Sequence, residues 1–190
     1  MKAIGTTDSM LSSAKAHQPA LGSRRIIYCA LLVATGLVLF LFESLIPRPL
    51  PWMKPGLANT AGLVALYLFG AREAAAVTFV RVVVGALLLG TLFNPSFFLS
   101  LGGGITAVIT MAVVRHFGQE FFSIVGVSVC GAAGHNLAQL SLTYALIVRR
   151  AELFLLLPAM ILTAIFTGVV VGLLSHLMLT SRLRGPGGKP

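Results

Sequence analysis

Charged residues are scarce in this 190-residue chain. Asp, Glu, Lys and Arg together make up 10% of it, whereas a soluble domain carries about 25%. Hydrophobic residues account for 57%, and the mean hydropathy is +0.95. A chain of this length has too little interior to bury so much apolar surface. These values exclude a soluble enzyme, a nucleic-acid-binding domain and a disordered protein, and they predict a chain embedded in lipid.

The groups that most enzymes use for catalysis are also sparse. The single aspartate is Asp8, and four glutamates and four histidines are scattered along the chain. These residues form no metal-ligand pair on one helix face, and the chain shows no nucleophile–base pairing. It also lacks the glycine-rich segment of a phosphate-binding loop. Cys29 and Cys130 lie inside apolar runs and read as small buried thiols. We therefore expect no catalytic residue, no metal site and no cofactor.

Long apolar runs dominate what is present. A helix needs about 20 apolar residues to cross roughly 30 Å of hydrocarbon. The sequence predicts an all-α polytopic membrane protein with a bundle of six transmembrane helices. The predicted spans are 26–46, 57–71, 74–93, 97–114, 121–148 and 153–179. They form a membrane domain over 26–180, between a disordered basic tail (1–25) and a C-terminal tail (181–190).

Two of these spans are unusual in length. The second has fifteen residues and reaches roughly 22 Å, so either the membrane is thin there or the proline-rich loop 47–56 dips inward. The fifth is long, and Gly126, Gly131 and Gly134 predict a bend or break within it.

Basic residues predict the orientation. Six spans place both termini on one side, and that side would hold nine of the Lys and Arg residues, against four on the other. The nine are Lys2, Lys15, Arg24, Arg25, Arg72, Arg115, Arg182, Arg184 and Lys189; the four are Arg48, Lys54, Arg149 and Arg150. The excess of positive charge on cytoplasmic loops therefore predicts cytoplasmic termini.

The fourteenth basic residue, Arg81, lies in the middle of the third span. Ionisable groups at membrane depth are costly and mark candidate functional sites. Its guanidinium suits an anionic ligand. The alternative is an internal ion pair, with Glu43 or the more cytoplasmic Glu73 as partner.

A second polar cluster comprises His135, Asn136 and Gln139 in the fifth span. His135 and Gln139 are four residues apart and share a helix face. Three hydrogen-bonding side chains are expensive in hydrocarbon unless partnered. They either line a cavity that binds a substrate or clamp two helices together.

Lys54 and Asn59 open the second span. A helix that starts near Pro55 points its free amides and positive dipole end toward the outer side. Such an end, with Lys54 beside it, suits an anionic group. Alternatively, Lys54 simply marks the membrane interface.

Small residues spaced four apart let membrane helices approach closely. Ala30 and Ala34 form such a pair in the first span, and Gly168 and Gly172 form one in the sixth. Either pair packs within the bundle or docks another membrane subunit.

These segments together resemble the bacterial Gx transporter family, which is also described as heptaprenyl diphosphate synthase component I. The resemblance spans about residues 26–178, and Pro55 stands where members usually have Leu. It rests on Glu43–Pro47, Lys54–Asn59, Arg81 with Gly85, Ser100–Gly103, Gly126–Ser128, Gly131 with Ala132, and His135–Gln139.

The family is similar in layout to the substrate-binding S components of energy-coupling factor transporters. That resemblance implies capture of a small molecule. From the polar residues at membrane depth we expect its site toward the outer half, formed by Lys54, Asn59, Arg81, His135, Asn136 and Gln139. The resemblance also implies docking through Ala30 and Ala34 onto a membrane coupling subunit, with ATPases in other chains. The expected location is the bacterial inner membrane.

Two other functions stay open. The chain is alternatively a non-catalytic membrane subunit that assists a soluble prenyl synthase in isoprenoid or quinone-precursor synthesis. Prenyl diphosphate synthases hold magnesium-bound diphosphates with two aspartate-rich motifs, and this chain has neither. The third function is a structural partner in a membrane redox or flavin-transfer complex, which would bind no small molecule and need no Arg81.

Overall fold

The computed structural model describes residues 21–45, 56–118 and 120–183. Within them the chain forms six α-helices and one 3-10 helix, and no β-strand. The α-helices are α1 (Leu21–Leu45), α2 (Asn59–Phe69), α3 (Ala71–Leu88), α4 (Pro95–Gly118), α5 (Ile124–Leu146) and α6 (Leu157–Leu183), and the 3-10 helix is Ala151–Leu156. The predicted all-α fold with six helices is confirmed.

Three stretches are long and apolar enough to cross a bilayer, by length and composition: Ser23–Leu45, Pro95–Gly118 and Ala151–Ser181. The last one joins the 3-10 helix to most of α6. Helix α3 includes Arg72, Glu73 and Arg81, which lower its hydropathy. Helix α2 is apolar but has 11 residues, so it is about 16 Å long. The protein is a helical membrane protein whose shorter and more polar helices lie among the apolar ones.

Helix α2 lies at the centre of the bundle. Leu63 and Ala65 are completely buried, and α2 packs against α1, α3, α4 and α6. Because α2 is short and ends at the Gly70 turn into α3, its first residues lie deep in the bundle. Asn59 contacts Arg81, eleven positions into α3. Asn59 and the adjoining Ala58 therefore lie inside the bundle. The predicted inward dip of the proline-rich loop stays a prediction, because residues 47–55 lie outside the described part of the chain.

The other helix ends also differ in places from the predicted spans. Helix α1 begins at Leu21, inside the stretch predicted as a tail, and α6 continues to Leu183. Helix α5 is continuous from Ile124 to Leu146, so the predicted break is wrong. Gly131 and Gly134 instead lie directly against Met111 and Thr110 of α4. These glycines allow two helices to approach closely.

The glycine pair of α6 has a similar role against α5. A Cβ atom at Gly168 would lie 2.6 Å from Val129 Cα, and one at Gly172 would lie 2.7 Å from Val125 Cα. Real Cβ atoms do not approach backbone so closely. Gly168 and Gly172 therefore pack within the bundle, which confirms the intramolecular alternative for this pair.

Consecutive helices alternate in direction and give the bundle two ends. The terminal end contains the start of α1, the turn between α2 and α3, the turn between α4 and α5, and the end of α6. The loop end contains the remaining connections. At the terminal end, Arg25 of α1 bridges to Glu73 of α3 at 2.5 Å and donates a hydrogen bond to the Phe69 carbonyl. These contacts connect the first three helices.

Candidate functional site

Arg81 is buried on α3, with 5% of its surface exposed. Its aliphatic stem crosses α1 at Gly36, where a Cβ atom would lie 2.7 Å from Arg81 Cδ. The guanidinium then reaches α2, where Nη2 donates a hydrogen bond to Asn59 Oδ1 at 3.2 Å. Gly36 thus provides the space that allows a long cation to lie between three helices.

Glu43 supplies a negative charge to the same region. Its carboxylate is buried and accepts a hydrogen bond from the backbone N–H of Ala58, at the start of α2, at 3.3 Å. The charge of Glu43 also acts on Arg81. Of the two acidic partners considered for Arg81, Glu43 is therefore the one close by, because Glu73 pairs with Arg25 at the terminal end.

This arrangement changes the interpretation of the start of α2. The amide N–H groups there were expected to face an external anion, with Lys54 beside them. Within the described residues, the chain's own Glu43 carboxylate accepts one of those amides. Lys54 lies outside the described residues, so its role as a ligand-binding residue stays a prediction.

His135 and Gln139 are buried on the face of α5 that meets α4. They lie against Gly103, where a Cβ atom would be 2.8 Å from His135 Cε1 and 3.0 Å from Gln139 Cγ. Gln139 Nε2 has no hydrogen-bond acceptor among the described residues. The close approach of Gly103 fixes both side chains and leaves an amide donor available in the interior.

Asn136 joins α5 to α6. Its Nδ2 donates to the Met160 carbonyl at 2.7 Å and to Thr163 Oγ1 at 3.4 Å. The interhelical clamp, one of the two alternatives for the polar cluster, is therefore present at this residue. Asn136 also lines a cavity, so the clamp and the cavity share a side chain.

A cavity of about 20 Å³ lies between α2, α4, α5 and α6. Three predicted site residues, Asn59, His135 and Asn136, line it, whereas Arg81 and Gln139 do not. A water molecule needs about 10–15 Å³ of such space, so the cavity in this conformation has room for about one water. Its other lining residues are Gly56, Ala107, Met111, Ser128, Gly131, Ala132, Thr167 and Val171.

Ser128 is the site residue that the sequence reasoning missed. It is 2% exposed, lines the cavity, and its Oγ has no hydrogen-bond partner among the described residues. One face of α5 presents four residues at spacings of four, three and four: Ser128, Ala132, His135 and Gln139. That spacing is visible in the sequence, but a single serine in an apolar helix does not by itself indicate a binding site.

The arrangement suits hydrogen bonding to a small molecule. The polar side chains around the cavity belong to asparagine, serine, histidine and threonine, and none of the lining residues is a carboxylate. Among the residues that the structure describes, no three His, Cys, Asp or Glu side chains lie together to hold a metal ion. The charged pair Arg81 and Glu43 is connected to the cavity through Asn59.

The predicted docking pair lies on the outside of the bundle. Ala30 and Ala34 are both exposed on α1. The apolar side chains of Ile27, Leu31 and Val38 are exposed on the same helix. The structure thus leaves this surface open to lipid or to another membrane helix, and its use in docking stays a prediction.

The family model described as heptaprenyl diphosphate synthase component I matches residues 32–178 of this chain. No curated protein and no solved structure matches it. The match covers more than half of the chain, extending from α1 to α6, and it includes every described residue of the candidate ligand site. The chain therefore belongs to the heptaprenyl diphosphate synthase component I family.

Proposed function

We propose that this protein is the membrane-embedded, substrate-binding subunit of a small-molecule uptake system, resembling an energy-coupling factor S component. One observation supports the proposal: a cavity between four helices of the bundle is lined by Asn59, Ser128, His135 and Asn136. Unpartnered polar groups at membrane depth are costly, and Ser128 Oγ is such a group among the described residues. A bound ligand offsets that cost.

In this proposal the ligand enters from the loop end. The excess of basic residues at the terminal end favours a cytoplasmic position for the termini in a bacterial inner membrane. The start of α2, where Gly56 and Asn59 line the cavity, is then on its outward-facing side. Because the cavity has room for about one water, binding of a larger molecule requires the helices around the cavity to move apart.

Arg81 has two roles in the proposal. Its hydrogen bond holds Asn59 at the cavity wall, and its positive charge, together with Lys54, favours an anionic group on the ligand. Gln139 lies on the same face of α5 as His135, and we propose that its amide contributes when the cavity enlarges. The exposed Ala30 and Ala34 then dock a coupling subunit, whose ATPases are separate chains.

Purification in a mild detergent, followed by mass spectrometry of extracted small molecules and co-purified proteins, tests the proposal. We expect one small molecule to be retained, together with a membrane coupling subunit. An Arg81→Ala variant that stays in the membrane should lose the small molecule. Full retention by that variant would remove Arg81 from the binding site, and retention of no molecule by the wild type would contradict the function itself.

The family description favours a second candidate, a non-catalytic membrane subunit of heptaprenyl diphosphate synthase. In this case the chain supplies no catalytic group, since its single aspartate is Asp8. A soluble, aspartate-rich prenyl synthase should then co-purify with the protein. Addition of the purified membrane protein should change the chain length of the synthase product, and an unchanged product distribution would count against this candidate.

A further inference from the structure

A groove at the terminal end is a candidate binding site separate from the cavity. It has a volume of about 510 Å³ and lies between the α2–α3 turn and the last turns of α4. That volume falls within the range of about 300–1,000 Å³ that is common for small-molecule sites. The lining residues are Leu66, Ala71, Ala112, Val113, Arg115, His116 and Phe117.

The groove combines positive charge with apolar walls. Arg115 and His116 are its ionisable lining residues, and no carboxylate lines it. The nearest acidic residue on α3, Glu73, is already engaged by Arg25. The electrostatic character of the groove therefore favours an anion.

Arg115 is held in position before any ligand arrives. Its Nη1 donates to the Leu66 carbonyl, and its guanidinium lies over the Tyr67 ring, 4.5 Å from the ring centre. A guanidinium has five N–H donors, and the Leu66 carbonyl is its hydrogen-bond acceptor among the described residues. The remaining donors are thus available, in a fixed orientation, to an acceptor in the groove.

The walls of the groove continue into the outer surface of the bundle. Ile109, Val113 and Phe117 are spaced four residues apart on α4, and they are 57%, 49% and 80% exposed. In a membrane protein such a stripe faces acyl chains. A molecule with an anionic head and hydrocarbon tails would match both parts, with its head at Arg115 and a tail along the stripe.

We propose that this groove binds the headgroup of an anionic glycerophospholipid. Basic pockets between helices at the cytoplasmic interface are a recurrent binding site for such lipids, and the proposed orientation places the terminal end at that interface. Arg115 donates charge-assisted hydrogen bonds to the phosphate oxygens, and His116 lies at the rim. The site is independent of the substrate cavity, which has none of these residues in its lining.

Native mass spectrometry of the detergent-purified full chain tests this site. Phosphatidylglycerol and phosphatidylcholine with identical acyl chains are added separately to the wild type, Arg115→Gln, Arg115→Lys and Arg72→Gln. Arg72 is a matched control, because it is an exposed arginine at the same end that does not line the groove. Ala112→Leu fills the groove wall and leaves Arg115 unchanged.

We expect the wild type to prefer phosphatidylglycerol. Arg115→Gln should weaken its binding about tenfold, as loss of a charge-assisted hydrogen bond does. Arg115→Lys should retain part of the preference, Ala112→Leu should lower binding of the lipid, and Arg72→Gln should behave as the wild type. If Arg115→Gln does not fold, Ala112→Leu is the test: weaker binding of phosphatidylglycerol supports the site, and unchanged binding contradicts it.

Three outcomes overturn the proposal. The first is equal binding of the two lipids by the wild type. The second is an equal loss of phosphatidylglycerol in Arg72→Gln and Arg115→Gln, which would indicate diffuse attraction to the whole terminal end. The third is displacement of the bound lipid by millimolar inorganic phosphate, which would show a site for a free anion.

Discussion

Nη2 of Arg81 lies 3.2 Å from Oδ1 of Asn59, so the arginine at the middle of α3 is connected directly to a residue of the cavity wall. Glu43 completes the arrangement through its charge on Arg81 and its hydrogen bond from the Ala58 amide. The charged pair and the cavity are therefore one structural unit, in which a change at Arg81 also affects the position of Asn59.

Removal of Arg81 should destabilise the protein through Glu43. Arg81→Ala removes the positive charge that acts on the buried Glu43 carboxylate, and a buried charge left uncompensated can cost up to about 3–5 kcal/mol. Thermal unfolding in detergent, followed by far-ultraviolet circular dichroism, measures the loss. Arg81→Met combined with Glu43→Gln should recover most of the stability, because it removes both charges. A double variant as unstable as Arg81→Ala would show that Glu43 is not the relevant partner.

The number and type of helices followed from the sequence because apolar runs of the required length are a direct consequence of the lipid environment. The length of α2 did not follow, because Leu57 and Ala58 are as apolar as the helix itself. The position of Ala58 and Asn59 inside the bundle depends on Glu43 and Arg81, which come from two other helices. The glycines of α5 misled the sequence reasoning for a similar reason, since their role is visible only with α4 beside them.

The burial of candidate site residues was predictable where a polar side chain interrupts an apolar run. Arg81, His135 and Gln139 are polar side chains in apolar runs, and the structure buries all three. Their neighbours were not predictable at this level, because Ser128 is common in membrane helices and gains its importance only from the cavity beside it. The separation of Arg81 and Gln139 from the cavity lining also depends on tertiary packing.

Asn136 should contribute to the stability of the α5–α6 pair. Asn136→Leu keeps a similar volume and removes the hydrogen bond to the Met160 carbonyl, which should cost about 0.6–2 kcal/mol. Thr35→Val is a suitable control, because the Thr35 hydroxyl donates within its own helix to the Leu31 carbonyl. Equal unfolding temperatures for the two variants would argue against an interhelical clamp.

Alanine at Gly168 should separate α5 from α6. The added Cβ would meet the Val129 backbone at 2.6 Å, and overpacking of this kind costs about 1–3 kcal/mol. At Gly126 the added Cβ meets the Phe122 side chain at 3.0 Å. A side chain can move aside, so Gly126→Ala should be neutral or slightly stabilising through helix propensity. A lower unfolding temperature for Gly126→Ala than for Gly168→Ala would contradict this packing.

Bulky residues at positions 30 and 34 should weaken docking of a partner subunit without destabilising the fold. Both positions are exposed on α1, so tryptophan at either should leave the unfolding temperature unchanged while blocking close approach of a partner helix. The amount of coupling subunit that co-purifies is the measurement. Ala76→Trp, at an exposed position of α3, should leave co-purification intact. Undiminished co-purification with Ala30→Trp and Ala34→Trp would place the docking surface elsewhere.

The most direct test of the central claim compares Ser128→Ala with Ser175→Ala. Both hydroxyls are buried and have no hydrogen-bond partner among the described residues, but Ser128 lines the cavity and Ser175 does not. Neither substitution should lower the unfolding temperature, since neither removes a protein–protein hydrogen bond within that part of the chain.

The measurement is the amount of small molecule that each purified variant retains, determined by mass spectrometry. The account predicts that Ser175→Ala retains as much as the wild type and that Ser128→Ala retains about three- to tenfold less, the effect of one hydrogen bond. Equal retention by the two variants, or no retained molecule in any of them, would contradict substrate capture at this cavity.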